Sequence, residues 1–133
     1  MGTKILISII ACFFTFSTTE IHQKDIFDTL SSHFKSSNSR EISSYFAPMI
    51  ELDILAEEGE YSKAQAELIL RDFLSKNSPE SVKVIHRLSS SPNYRFGVLS
   101  IQTEDNNFRI SITMAKDGTR FLVRTIRIEN DKE

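Results

Sequence analysis

EGEYSKAQAELILRDFLSKNSP, residues 58–79, holds a full set of helix start, face and stop signals. Ser62 suits an N-cap, because its hydroxyl accepts from a first-turn amide that has no partner within the helix. Gln65 stands at the capping-box position, and Tyr61 precedes the cap as a hydrophobic staple on Ala66. Ala66, Ile69, Leu70, Phe73 and Leu74 fall at i, i+3, i+4, i+7 and i+8, one broad apolar stripe. Lys76-Asn77-Ser78-Pro79 then supplies a cation, a residue tolerant of the left-handed region and a Pro, as expected where a helix stops. A helix with one apolar face must lie on another element, and the flanking sequence supplies it.

Everything after Pro79 reads as strand. Val82–Ser90, Tyr94–Thr103, Phe108–Met114 and Arg120–Glu129 are separated by Ser91-Pro92-Asn93, by Glu104-Asp105-Asn106-Asn107 and by Asp117-Gly118, a strong hairpin signal. Connections this short make an antiparallel meander. Before residue 58 the chain alternates from Met49 to Leu55, with Ile50, Leu52 and Ile54 opposing Glu51 and Asp53, and Glu57–Glu60 reads as a turn. Residues 23–36 are helical by period: Ile26, Leu30 and Phe34 recur, with Phe27 beside them. A short second helix starts at Asn38, with Glu41 at capping-box spacing and Ile42, Tyr45 and Phe46 on its apolar face, and stops at Pro48.

The expected order is therefore helix, helix, strand, helix, four strands. Three helices cover one face of a curved, mainly antiparallel sheet, an α+β domain over residues 20–133. Ile85, Leu99 and Ile101 fall on both strand parities, so the sheet is expected to carry apolar side chains on both faces. The second face then needs a cover, and a homodimer through the open sheet face supplies one.

This order resembles the cone of the nuclear transport factor 2-like superfamily (cystatin-like fold). Within it, the sequence is similar to small exported bacterial proteins carrying domain of unknown function 4783. The resemblance rests on Asp25-Ile26-Phe27, Tyr45-Phe46, Glu51-Leu52, Glu58 to Ala66, Asp72-Phe73-Leu74, Lys76-Asn77 and Ile126-Arg127-Ile128-Glu129. It implies the cone fold and no particular reaction, since the superfamily holds isomerases, dehydratases and non-catalytic binding modules.

Catalysis in such a cone requires a carboxylate or His in a dry pocket. No strand carboxylate shares parity with the core. His86 does, alongside Val82, Val84 and Leu88; Arg124 does, alongside Leu122, Ile126 and Ile128; Tyr94 and Gln102 join them. Arg124 would pair with an anionic group and His86 would donate or accept, so the four are candidate ligand-binding residues. With no carboxylate to fix the His tautomer, no catalytic residue is assigned. His22, His33 and His86 are too far apart in sequence to share metal-ligand spacing, and no phosphate loop or dinucleotide fingerprint is present, so no metal and no cofactor is expected. The acidic turn Glu57–Glu60 lacks the alternating ligands of a calcium loop.

The first residues read as a leader. Lys4 precedes the apolar run Ile5–Phe16, too short to cross a bilayer, and Ser17-Thr18-Thr19 suits a signal peptidase. Residues 1–19 are expected to be removed, which leaves no stable membrane span. Ile9-Ile10-Ala11-Cys12 also resembles a lipobox, but the apolar run continues past Cys12 through Phe13, Phe14 and Phe16. Cys12 is the sole Cys, so the exported domain would depend on its core rather than on disulfides. The 133-residue chain has 16 basic and 18 acidic residues, a net charge of −2, which argues against a nucleic-acid partner or a polybasic membrane surface. The expected role is an exported, non-catalytic domain that binds a small molecule or a protein in the periplasm or outside the cell. The competing role is a small isomerase or lyase using His86. Intact mass of the protein from a secreting host should place the new N-terminus at Glu20, within roughly three residues. A retained leader or an acyl group on Cys12 would reject that assignment.

Overall fold

The computed structural model describes residues 25–89 and 91–132; the leader, with Cys12 and Thr19, lies outside the described residues. Two helices come first: α1 (Ile26–Lys35) and α2 (Ser39–Ser43). A hairpin follows, β1 (Phe46–Ile54) and β2 (Glu57–Ser62), then α3 (Lys63–Lys76). The chain ends in β3 (Ser81–Leu88), β4 (Tyr94–Gln102), β5 (Asn107–Asp117) and β6 (Arg120–Asn130). The strands form one six-stranded sheet in the order β2-β1-β6-β5-β4-β3, antiparallel except where β1 meets β6. Helices on one face of such a sheet make the expected α+β cone.

The α3 segment forms as its sequence dictates. Ser62 Oγ accepts from the Gln65 amide at 3.3 Å, and Gln65 Oε1 accepts from the Ser62 amide at 3.4 Å, so both arms of the capping box are made. Ala66, Leu70, Phe73 and Leu74 are buried, and Ile69 packs against the core. Asn77 stops the helix differently from expectation. Its φ of −132° is outside the left-handed region, and its side-chain amide donates to the Phe73 carbonyl at 3.0 Å instead. The left-handed residue lies at the end of α1, where Ser37 has φ 54°. The Ser37 amide donates to Phe34 O and the Asn38 amide to His33 O, at 3.0 and 2.9 Å, which is a Schellman closure. Asn38 then caps α2, its Oδ1 accepting from the Glu41 amide.

Two expectations fail between residues 44 and 60. Tyr45 and Phe46 are not on α2, which ends at Ser43; Phe46 opens β1, and Pro48 lies inside that strand. Pro48 is tolerated because the β1–β6 register shifts between Phe46 and Glu51, so no regular ladder bond is required there. The expected turn at Glu57–Glu60 is a strand, β2, paired with β1 from Met49↔Ser62 to Ile54↔Glu57. Its turn is Leu55-Ala56, with φ of 52° and 73°. Such hairpin turns usually announce themselves with Asn or Gly. Leu and Ala gave no such signal.

The core lies between the helices and the concave sheet face. Phe27, Leu30 and Phe34 of α1, Ile42 of α2 and the α3 stripe meet Leu99, Ile101, Phe108, Ile110, Ile112, Ile126 and Ile128. Phe73 and Phe108 meet edge to face at 5.2 Å between centroids. Gly97 fixes the seat of α1: a Cβ there would overlap the Phe27 ring, so the ring lies on bare backbone. No buried side-chain polar atom lacks a partner among the described residues.

Gly97→Ala is expected to cost about 2 kcal/mol, within the usual range for overpacking. Chemical denaturation measures it, and an unchanged midpoint would deny the close approach. Ser62→Ala should lose about 1 kcal/mol, a typical N-cap loss; an unaltered melting temperature would defeat that cap.

Candidate functional site

The two faces of the sheet divide the polar residues, and two β-bulges decide the division. On β4, Gly97, Leu99 and Ile101 point to the helices, and Arg95 shares their parity. Tyr94, Phe96, Val98, Ser100 and Gln102 therefore point away. The expectation that Tyr94 and Gln102 face inward is corrected: both are exposed, Tyr94 at 59 %. The Gln102 side chain accepts from Ser81 Oγ at 3.2 Å on the outer face.

On β3, Val82 and Val84 pack against the core as expected. The register then shifts: Val84 pairs with Leu99, but His86 pairs with Val98, which leaves Ile85 as the extra residue. A one-residue shift sends every later side chain to the opposite face. His86 and Leu88 are thus exposed on the outer face, and His86 meets the Phe96 ring edge-on at 6.4 Å. On β6 the same event occurs. Thr125 pairs with Thr113 and Val123 with Met114, so Arg124 is the extra residue. Arg124 is exposed and borders an open depression of about 520 Å³ with Glu51, Glu58 and Glu60. His86 and Arg124 lie on opposite halves of the sheet and do not converge. The isomerase or lyase reading required His86 in a dry pocket, and this position withdraws that support.

What the outer face collects is apolar on one half and charged on the other. Leu88 (48 % exposed) and Tyr94 stand beside half-buried Phe96 and Leu122 and nearly buried Val98, with Ile85 (48 %) at the bulge. On β1 and β2, Glu51 faces Glu60 and Asp53 faces Glu58 across the ladder. Like charges opposite one another repel. Arg127 offsets one pair by binding Asp53 at 2.9 Å.

The concave face has no deep chamber, because Phe27, Phe34, Phe46, Phe73 and Phe108 fill it. At its mouth, between the start of α1 and the adjoining ends of β3 and β4, lies an open cleft of about 640 Å³. It is bordered by Asp25, Tyr45, Arg87 and Arg95, among others. Arg87 clamps α1 to β3, its Nε 3.1 Å from Asp25 Oδ2 and its Nη2 bonded to Asp28 Oδ1. Arg95 lies over the Phe121 ring, 4.1 Å from its centroid. Neither Arg95 nor Tyr45 is among the ligand-binding residues expected from the sequence. The alternation Arg95, Gly97, Leu99, Ile101 would have placed Arg95 inward, had the Leu99 and Ile101 parity been taken as the core side.

Among the described residues no three His, Cys, Asp or Glu side chains gather as metal ligands, and no helix is long and apolar enough to cross a membrane.

Three helices seated in a curved six-stranded sheet, with the cone closed by aromatic side chains, make the nuclear transport factor 2-like, cystatin-like fold. Within that class the chain belongs to the family described as domain of unknown function (DUF4783), whose sequence profile matches residues 27–129. A DUF4783 protein of Bacteroides uniformis superposes with a TM-score of 0.76 at 24 % identity, covering 82 % of this chain and 100 % of that one. Another from Bacteroides fragilis gives 0.74 at 26 % identity, covering 80 % and 100 %. More distantly, a domain of unknown function with a cystatin-like fold from Nostoc punctiforme gives 0.61 at 7 % identity, covering 78 % and 72 %. No curated protein matches the sequence.

Proposed function

We propose that this protein is an exported, non-catalytic interaction module that pairs with a second copy through the outer face of its sheet. The observation that carries the reading is the apolar half of that face. The helix side of the sheet is spent on the core, yet Ile85, Leu88 and Tyr94 remain about half exposed on or beside the other side. They adjoin Phe96, Val98 and Leu122 rather than standing singly. Contiguous apolar surface of this kind marks an interaction site, whereas scattered apolar residues do not. His86 and Tyr94 thereby serve as polar-tipped aromatic contacts on a face, not as a pocket.

The dimensions support the occupant. β4–β6 run for 9 to 11 residues. With β3 they present on the order of 600 Å² in projection, from strand rise and spacing. A standard interface takes ~800 Å² of accessible surface from each partner. Charge supports one position for the two-fold axis of such a pair. If β1 and β2 lay at its centre, Glu51, Asp53, Glu58 and Glu60 would meet their own copies, and like-charge juxtaposition is costly. The axis therefore falls toward β4 and β5, where Tyr94, Phe96 and Val98 lie. The export half of the reading is supported by the leader.

Light scattering at micromolar concentration is expected to give the mass of two chains. Tyr94→Glu combined with Leu88→Glu should return a folded monomer with unchanged circular dichroism. A wild-type monomer under these conditions would reject the self-pairing reading.

A further inference from the structure

Independently of the sheet face, we infer that the cleft at the mouth of the cone binds a small organic monocarboxylate with an apolar body. The carboxylate would sit on Arg95 and Tyr45. Arg95 is half-buried near the start of β4, paired across the ladder with Met114. Its guanidinium stacks on Phe121. Stacking engages the face of that planar group and leaves its in-plane N–H fork available. No carboxylate answers that fork among the described residues, in contrast to Arg87, Arg71, Arg109 and Arg127, each of which has an acidic partner. The Tyr45 hydroxyl borders the same cleft and makes no hydrogen bond among the described residues, while its ring is packed against the core. A carboxylate is the acceptor whose two oxygens match a guanidinium fork, with room for a phenolic O–H.

The neighbouring charges choose a monoanion. Arg87 is shared by Asp25 and Asp28, so that group of three carries an excess negative charge beside the cleft. Together with Arg95 the local sum is neutral, which suits one incoming negative charge better than two. The rest of the wall is Ile26, Phe27 and Leu88, with the small polar residues Thr29 and Ser89, so its apolar part offers a place for a hydrocarbon body. The volume of about 640 Å³ lies in the range of small-molecule sites.

Sodium octanoate tests this, with 1-octanol as the head-group control, by calorimetric titration and amide chemical-shift mapping of the isotopically labelled protein. Octanoate is expected to bind saturably, to move the amides of Arg95, Tyr45 and Phe27, and to bind at least tenfold more tightly than octanol. Arg95→Gln should weaken octanoate at least tenfold and leave octanol unchanged. Tyr45→Phe, which keeps the packed ring, should weaken octanoate about threefold, the worth of one modest hydrogen bond. Equal affinity for octanoate and octanol, absence of saturable binding at millimolar octanoate, or shifts confined to the outer sheet face would each overturn the proposal. The comparison of the two probes on the wild-type protein needs no variant to fold, so a failure of Arg95→Gln to fold does not shelter the proposal.

Discussion

The contact on which the arrangement turns is the Phe27 ring lying directly on the backbone of Gly97. It brings α1 closer to β4 than any residue with a side chain would allow, and it sets which parity of β4 faces the helices. Gly97, Leu99 and Ile101 go in together because side chains alternate along a strand. Once that is settled, the β4–β5 register carries the choice to Ile112, Ile110 and Phe108, and the β5–β6 register carries it to Ile126 and Ile128. The α1 helix is then tied at its N-terminal end by the pairing of Asp25 and Asp28 with Arg87. These ion pairs are partly exposed and contribute little on their own. Their effect is orientation: they hold α1 over the end of β3, beside the cleft that Arg95 borders.

The helices and the closing meander were legible in the sequence because their signals are local. The α3 cap, stripe and stop lie within one segment, and the Asp117-Gly118 turn names its own hairpin, with Gly118 at φ 63°. The failures share a different character. His86 and Arg124 were assigned to the core side by counting from apolar neighbours, and each follows or occupies a β-bulge. A bulge adds one residue to one strand only, so it is a property of a pair of strands and leaves no mark in either strand alone. Val82 and Val84, before the β3 bulge, were placed correctly; His86 and Leu88, after it, were not. The missed strand β2 is a similar case, since Leu55 and Ala56 hold a turn for which neither residue is the usual choice.

The bulges also shape the outer face. Without the shift at Ile85, Leu88 would continue the inward row of Val82 and Val84, and the outer face would lose one of the two half-exposed aliphatic side chains of β3. Without the shift at Arg124, Leu122 would not share the outer side with Thr125 and Arg127. On β3 the shift thus moves apolar surface to the open side, against the burial that drives folding, whereas on β6 it turns Leu122 outward and brings Val123 and Phe121 to the core side. The β6 shift serves the core, since it also keeps Arg124 in solvent; the outward turn of Leu88 on β3 suits a face covered by another molecule.

The two faces also separate two kinds of recognition. The outer face is broad, shallow and apolar toward β3 and β4, which suits a surface of similar size and curvature. Among the described residues the helix side is filled by aromatic packing, and the open cleft lies at its mouth. There Arg95 and Tyr45 border one cleft, on side chains whose positions are set by a strand and by the packing of the Tyr45 ring. Fixed donors of that kind select a head group more than they add affinity, since the cost of ordering them was met when the chain folded. A cleft with such donors can in this way discriminate among small molecules apart from whatever the open sheet face does. The Arg87 clamp borders the cleft and also lies one residue from Leu88 on the outer face, so the two surfaces meet at the end of β3.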